Sequence, residues 1–214
     1  MTQSALAEPA EVHGRVQAKP YHHGDLQRAL IEAADRILER DGPRALSLRA
    51  VAREAGVSPA APYHLFKDKD ELVNAVAGRG FQLLAEAMAV ATKDKLTDKE
   101  QSIAQGVAYV CFARDHAALY HIMFDGSRKH DPNTQKPREQ STAYTLARDL
   151  RARQGEKVHA EPLDVELATI ASWCAAHGLA EMAHYKAFDD LKKQLGGDEA
   201  FFAAVLDHLG MFRD

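Results

Sequence analysis

An all-α fold is predicted, on three observations. Apolar residues recur at spacings of three and four along nearly the whole chain. Capping residues and glycines punctuate it at helix-length intervals. No segment alternates with period two for long enough to make a strand. The 214 residues, 46% apolar and 27% charged, have a globular composition and are ample for burying a core. No stretch approaches the roughly eighteen consecutive apolar residues of a membrane span, so no membrane partner is expected. Met1 to Lys19 has no apolar signal-like core, and Cys111 and Cys174 cannot make a disulfide scaffold. A cytoplasmic setting is expected.

Residues 1–19, without periodicity and interrupted by Pro9 and Gly14, read as a flexible arm. A first helix is expected from about Asp25, through Leu26, Leu30, Ala33 and Ile37, to Asp41-Gly42-Pro43. Ser47 stands where an N-cap belongs, and Leu48, Val51, Ala52 and Ala55 form one face before Gly56. Ser58-Pro59 reads as a second cap with proline at the first helical position, opening a short helix to about Phe66. Asp68 and Glu71 have capping-box spacing and open a long helix to about Thr92, with Val73, Val76, Ala77, Gly80, Phe81, Leu84 and Met88 as its buried stripe.

The polar run Thr92 to Glu100 separates this helix from the next, which contains Ile103, Val107, Val110 and Cys111. A short helix from His116 to Phe124 is closed by Asp125-Gly126, and residues 127–138 read as a loop. An amphipathic helix follows at roughly 139–153, then a long apolar one from Pro162 to about Phe188. Gly196-Gly197 breaks the chain before a last helix holding Phe201, Phe202, Val205, Leu206 and Leu209. Three parts are expected: the arm 1–19, a head 20–75 and a body 76–214.

Two short helices joined by a glycine turn form a helix-turn-helix. The surrounding residues make the pattern specific. Leu46-Ser47-Leu48-Arg49-Ala50-Val51-Ala52-Arg53-Glu54-Ala55-Gly56-Val57-Ser58, followed by Tyr63-His64-Leu65-Phe66-Lys67-Asp68-Lys69-Asp70-Glu71-Leu72, closely resembles the DNA-binding domain of TetR/AcrR-family transcriptional regulators. Tyr21-His22-His23-Gly24-Asp25-Leu26 resembles the opening of one branch of that family. Trp173-Cys174-Ala175-Ala176-His177-Gly178-Leu179 resembles the WHG-type regulatory domain of the same branch. The likeness covers residues 20–75 strongly and 100–185 more loosely. It implies an N-terminal three-helix DNA-binding domain followed by a helical bundle for ligand binding and dimerisation.

The residues at the head suit that role. Ala60 and Ala61 are small enough for the backbone to approach a major groove and touch a thymine methyl. The resemblance gives Tyr63 and His64 phosphate contacts. Lys69 opens a helix whose free N–H groups favour a phosphate. Arg49 is placed to reach a base edge or the backbone. Ser47 either caps or donates to a phosphate, and Ser58 falls in the same DNA-facing stretch. Pro62 lacks the N–H that the Ser58 carbonyl would receive. Either the first turn is distorted, or the helix begins near Ala61 with Pro62 at its first position. Direct base readout is thin, so specificity is expected from Arg49, a few further contacts and DNA shape.

Net charge does not announce nucleic acid. The chain is −4 overall, with nine basic and nine acidic residues in 20–80. Arg36, Arg40, Arg44, Arg49 and Arg53 cluster in sequence, which a solvated helical face also explains.

In the body, the family likeness implies a ligand cavity among helices carrying Tyr109, Phe112, His116, Tyr120, Met123, Phe124, Tyr144, Trp173 and His177; any of these also suits an ordinary core. It also implies a four-helix dimer interface. The expected contributors are Leu163, Leu167, Ile170, Ala171, Cys174 and Gly178 on one helix, and Phe201, Phe202, Val205, Leu206 and Leu209 on the last. Leu179 and Met182 help make the first of these apolar nearly all round. Cys174 and His177 have a spacing that a metal can use, but two ligands on one helix do not make a site. No metal and no cofactor is expected, and no phosphate loop, dinucleotide glycine motif or hydrolase motif occurs.

The reading is a homodimeric transcriptional regulator, a repressor, that holds a palindromic double-stranded DNA operator until a small, largely apolar effector releases it. The alternative is an all-α enzyme or effector-binding protein whose N-terminal helices mediate protein contacts.

Overall fold

The structure, a computed structural model, describes residues 23–125 and 142–209. The expected arm 1–19, the expected loop 127–138 and the first residues of the helix expected at 139–153 lie outside the described residues. Among the described residues there are nine α-helices, three short 3₁₀ turns and no strand. No helix among them is long and apolar enough to cross a membrane.

Helix α1 (His23–Asp41) buries Leu30, Ala33, Ala34, Ile37 and Leu38. It ends where Gly42 donates its N–H to the Leu38 carbonyl at 3.0 Å and Pro43 begins a 3₁₀ turn. Helix α2 (Leu48–Glu54) is capped by Ser47, whose Oγ accepts from the Ala50 N–H at 3.1 Å. Gly56 (φ 68°) supplies the left-handed turn after it.

The next segment departs from expectation. No regular helix starts at Pro59, and Ser58 is not a cap. A 3₁₀ turn runs over Ala61–His64 with Pro62 at its second position. The cause is the missing N–H of Pro62. The Ser58 carbonyl receives the Ala61 N–H at 3.0 Å instead, and Tyr63 donates to Ala60 at 3.1 Å, both with 3₁₀ spacing.

Helix α3 (Lys69–Thr92) is capped by Asp68, whose Oδ1 accepts from the Glu71 N–H at 3.0 Å, while Glu71 Oε2 accepts from the Lys67 N–H at 2.6 Å. At 24 residues it is ~36 Å long at ~1.5 Å per residue. It crosses residues 75–76 without a break. A Cβ on its Gly80 would lie 2.6 Å from Met123 Sδ, so α3 and α5 approach closely there.

Helix α4 (Asp98–Asp115) begins inside the polar run. Thr97 and Glu100 form a full capping box that the sequence reading passed over. Helices α5 (Ala117–Phe124) and α6 (Thr142–Lys157) follow. Helix α7 (Pro162–Met182) stops six residues before the expected end. Beyond it lie a 3₁₀ turn and a separate helix, α8 (Asp189–Leu195), closed by Gly196 (φ 96°). Gly197 donates to the Lys192 carbonyl at 2.8 Å and Gly196 to Lys193 at 3.2 Å, a Schellman arrangement. Helix α9 (Asp198–His208) ends the described chain.

One buried cluster runs from α1 and α2 (Leu30, Val51) through α3 (Leu72, Val76, Leu84) to α4 and α5 (Phe112, Ile122). Head and body therefore share α3 and a continuous core. A second cluster, Val110, Leu179, Ala183, Phe201, Phe202 and Leu206, locks α9 onto α4 and α7. One buried polar atom stands out between the halves. Asp35 Oδ1 on α1 has no hydrogen bond among the described residues. Burial, with Glu39 and Glu32 beside it, pushes its carboxyl up to about 6 against the pull of Arg79 and His116.

Candidate nucleic-acid interface and effector cavity

The head sorts its cations into two groups. Arg36 and Arg40 each reach Glu54 at 3.1 Å, and Arg40 also holds Asp41 at 2.9 Å. These ions clamp α1 to α2, and their hydrogen bonds hold the Glu54 carboxyl below its ordinary range. Arg44, Arg49, Arg53, Lys67 and Lys69 are exposed, with no ion pair among the described residues. Five unneutralised cations within one short stretch are what the balanced total of the head conceals.

Tyr63 is 54% exposed although it sits next to buried Pro62, and His64 is exposed beside it. Phe66 turns inward and anchors the segment in the core, so the 3₁₀ turn is held from below. Ser58 and Ala60 are exposed and Ala61 is half-buried. Ser47 spends its acceptor on the cap, and its hydroxyl proton is still available for a phosphate. Lys69 stands at the start of α3 among Asp68, Asp70 and Glu71. Two of those carboxylates cap the helix, which sets their charge against the pull of Lys69 on a phosphate.

In the body the expected aromatic residues divide. Tyr109, Tyr120, Phe124, Tyr144, Trp173 and His177 form one connected cluster, with Trp173 at 5.2 Å from Tyr109 and Phe124 at 4.7 Å from His177, centroid to centroid. His177 Nδ1 lies 2.6 Å from the Tyr120 hydroxyl and 2.9 Å from that of Tyr109, and the two hydroxyls are 3.2 Å apart. The protein thus supplies the polar partners that these buried groups need. Burial pushes the Tyr120 hydroxyl up to about 12 and that of Tyr109 further, so both stay protonated. The Tyr144 hydroxyl is bonded to Glu166. Phe112 pairs with His116 at the α4–α5 corner, 4.8 Å apart, and Met123 packs against Gly80. Those three residues lie elsewhere in the core.

Only Tyr109 and Trp173 of the expected set line the cavity between α3, α4, α6, α7 and α9, whose volume is about 40 Å³. Its apolar wall adds Met88, Gly106, Ala147, Ala176 and Leu206, and its polar wall is Ser102, Gln105, Arg151 and Ser172. The polar wall was missed, although a signal was present. Arg151 follows Ala147 by four on the apolar stripe of α6, and Ser102, Gln105 and Tyr109 share one buried face of α4. A polar residue repeated on a core face is the mark of a lined cavity. Burial lowers the Arg151 guanidinium to about 10.

The expected dimer residues also divide. On α7, Leu163 (67% exposed), Leu167 (55%), Ala171, Cys174 and Gly178 form an outward stripe at spacings of four and three, with Ile170 half-buried beside it. On α9, Phe202 and Leu206 are fully buried and Phe201 is buried, while Val205 is half-buried and Leu209 exposed. The three buried residues serve the core of their own chain. A Cβ on Gly106 would meet Leu206 Cδ1 at 2.7 Å, so α9 seats directly on α4 there. Among the described residues no group of three or more His, Cys, Asp or Glu could hold a metal ion.

Residues 30–76 match the bacterial regulatory proteins of the tetR family, and residues 102–209 match the tetracyclin repressor-like C-terminal domain. The HTH-type nicotine-responsive transcriptional repressor HdnoR of Paenarthrobacter nicotinovorans is 42% identical over 64 residues, 30% of this chain and 33% of that protein. The HTH-type transcriptional regulator BetI of Brucella abortus is 31% identical over 108 residues, 49% of this chain and 54% of that protein. The chain therefore spans between a third and about half the length of these curated relatives. A Rhodococcus sp. RHA1 protein of unknown function superposes with a TM-score of 0.69 at 31% identity, covering 92% of this chain and 98% of that one. The regulator FadR of Bacillus subtilis, solved with stearoyl-CoA, shares the fold at 17% identity, with a TM-score of 0.63 over 87% of this chain and 97% of that one. An all-helical chain with an exposed helix-turn-helix corner, matched over both head and body, belongs to the tetR family of bacterial regulatory proteins.

Proposed function

We infer that the protein is a homodimeric transcriptional repressor of the cytoplasm, holding a palindromic operator until a small molecule enters its body. The observation that carries this is the corner at residues 58–69. Tyr63 and His64 project from a 3₁₀ turn anchored by Phe66, with Arg49 and Lys69 left unneutralised nearby. Residues 20–75 are the DNA-binding part in this reading, and 76–214 the sensing and pairing part. Tyr63, His64 and Lys69 contact phosphates, Ser47 adds a hydroxyl, and Arg49 reaches into the groove. Ser58, Ala60 and Ala61 let the backbone come close.

The α7 stripe from Leu163 to Gly178 supports pairing of two copies, since an exposed apolar stripe of this length seeks cover. Such a pair sets two heads about one DNA turn apart, roughly 34–36 Å. Helix α3 links the parts: Met88 lines the cavity, and Lys69 stands at the other end of the same helix. An occupant that moves Met88 tilts the head, and release requires that the tilted state bind the occupant better. The repressor named for HdnoR and the stearoyl-CoA bound to FadR support a ligand-controlled reading.

The test is a mobility shift on the DNA flanking the gene. Wild-type protein retards it, with affinity falling steeply as salt rises. Tyr63→Ala with Lys69→Ala abolishes the shift and leaves the oligomeric state unchanged. Retardation by the double variant at wild-type affinity overturns the reading.

A further inference from the structure

We propose that the cavity receives a small organic acid carrying one carboxylate, with the carboxylate held by Arg151 and Gln105 and the apolar part laid against Tyr109 and Trp173. The proposal rests on the effector-controlled reading above and names its ligand class.

Arg151 is held in one orientation in the cavity wall. Its Nε donates to Ser172 Oγ at 3.0 Å, and its Nη1 donates to Gln154 Oε1. These supports are themselves fixed. Ser172 Oγ donates to the Ala168 carbonyl at 2.7 Å, and Gln154 Nε2 donates to Ser102 Oγ at 2.9 Å. A guanidinium pinned in this way is prepared for the planar, two-oxygen geometry of a carboxylate. Its buried setting penalises the positive charge, and an anion brought beside it relieves that penalty.

Gln105 supplies the second observation. It is 7% exposed and faces the same cavity, and its side chain makes no hydrogen bond among the described residues. A buried carboxamide left in this state is costly, and a carboxylate oxygen accepting from its Nε2 satisfies it. Ser172 and the Tyr109 hydroxyl are already committed, so these two side chains offer the new contacts.

The charge count selects the class. Arg151 is the sole ionic side chain of the described lining, which suits one negative charge and leaves a phosphate dianion half-balanced. It repels a cationic amine. The opposite wall, with Trp173, Tyr109, Met88 and Leu206, calls for an apolar body. At about 40 Å³ the cavity holds little more than water, so a ring or short acyl chain must displace Met88 or Leu206. Met88 belongs to α3, which ties occupancy to the head.

The test titrates the full-length protein calorimetrically with phenylacetate, hexanoate and octanoate, each against its neutral amide. At least one acid is expected to bind, at least about tenfold more tightly than its amide. Arg151→Gln abolishes that preference, Arg151→Lys keeps part of it, and Gln105→Leu weakens the acid about tenfold. Circular dichroism checks each variant; if Arg151→Gln does not fold, Gln105→Leu decides. No binding by any of the acids, equal binding of acid and amide, or unchanged affinity in Gln105→Leu overturns the proposal. The mobility shift runs alongside. DNA binding that persists while the acids fail leaves the repressor reading intact and removes only the ligand class; absence of DNA binding removes the repressor reading itself.

Discussion

Two substitutions that look alike in sequence are expected to act on different equilibria. Leu163 and Leu167 on α7 face solvent in the single chain, at 67% and 55% exposure, whereas Phe202 on α9 is at 0%. Burying a leucine fully is worth about 2 kcal/mol, so covering the exposed part of each is worth roughly 1 kcal/mol. A two-fold pair buries four such side chains, or roughly 4 kcal/mol, which is about a thousandfold in the dimer constant. Leu163→Ala with Leu167→Ala should therefore weaken the dimer by about that factor and leave protomer helicity unchanged. Phe202→Ala removes a ring from the core that seats α9 on α4, and should cost about 3–5 kcal/mol of folding stability. Sedimentation equilibrium reads the first effect, and urea unfolding at one fixed chain concentration reads the second. Wild-type self-association in the leucine variant, or a Phe202→Ala protein that dissociates without losing stability, refutes the assignment of the two faces.

Three further outcomes follow from the head and its junction. Asp35 keeps its proton to about pH 6 in the folded chain, against roughly 3.9 in an unfolded one. The folded state therefore binds more protons between those values, and Asp35 lowers stability progressively as pH rises from about 4 through about 6. Asp35→Asn should flatten that limb and stabilise the protein at pH 7 by about 1 kcal/mol, an amount that already allows for its partial solvent access; an unchanged slope in pH-dependent unfolding contradicts this. Pro62→Ala returns an N–H to the Ser58 carbonyl, so segment 59–66 should gain helix by circular dichroism and shift its operator preference. Arg49→Ala should broaden the sequence preference selected from a randomised operator library, and an unaltered preference counts against Arg49 as a reader.

The features that were legible in the sequence are those decided within a few residues. Ser47, Asp68 and the Gly56 and Gly196 turns act on neighbouring backbone groups, so identity and spacing reveal them. Thr97 and Glu100 carried the same information but were obscured by the polar run around them. Helix α8 was absorbed into a longer one because its seven residues are mostly charged. Yet Asp189 and Asp190 at its start, Lys192 and Lys193 at its end, and Gly196 beyond are arranged as the helix dipole prefers. The consequence of Pro62 depended on which N–H its neighbour's carbonyl would take, and two backbone solutions fitted the residues equally.

At the candidate sites the difficulty was direction. Apolar spacing on α9 defines a face but not what covers it, and Phe202 and Leu206 proved to serve their own chain. Similarly, nine aromatic and histidine-bearing positions marked the body, yet most satisfy one another, as Tyr109, Tyr120 and His177 do. The cavity lies beside them, where Arg151 and Gln105 interrupt core faces. A polar residue out of place was the better guide.

Footprinting of the protein on its flanking DNA tests the central claim most directly. Two protected half-sites are predicted, centred about one helical turn apart on the same side of the duplex, and both should vanish together in the Tyr63→Ala, Lys69→Ala protein. A single protected patch, or two that persist at wild-type strength in that variant, contradicts the account.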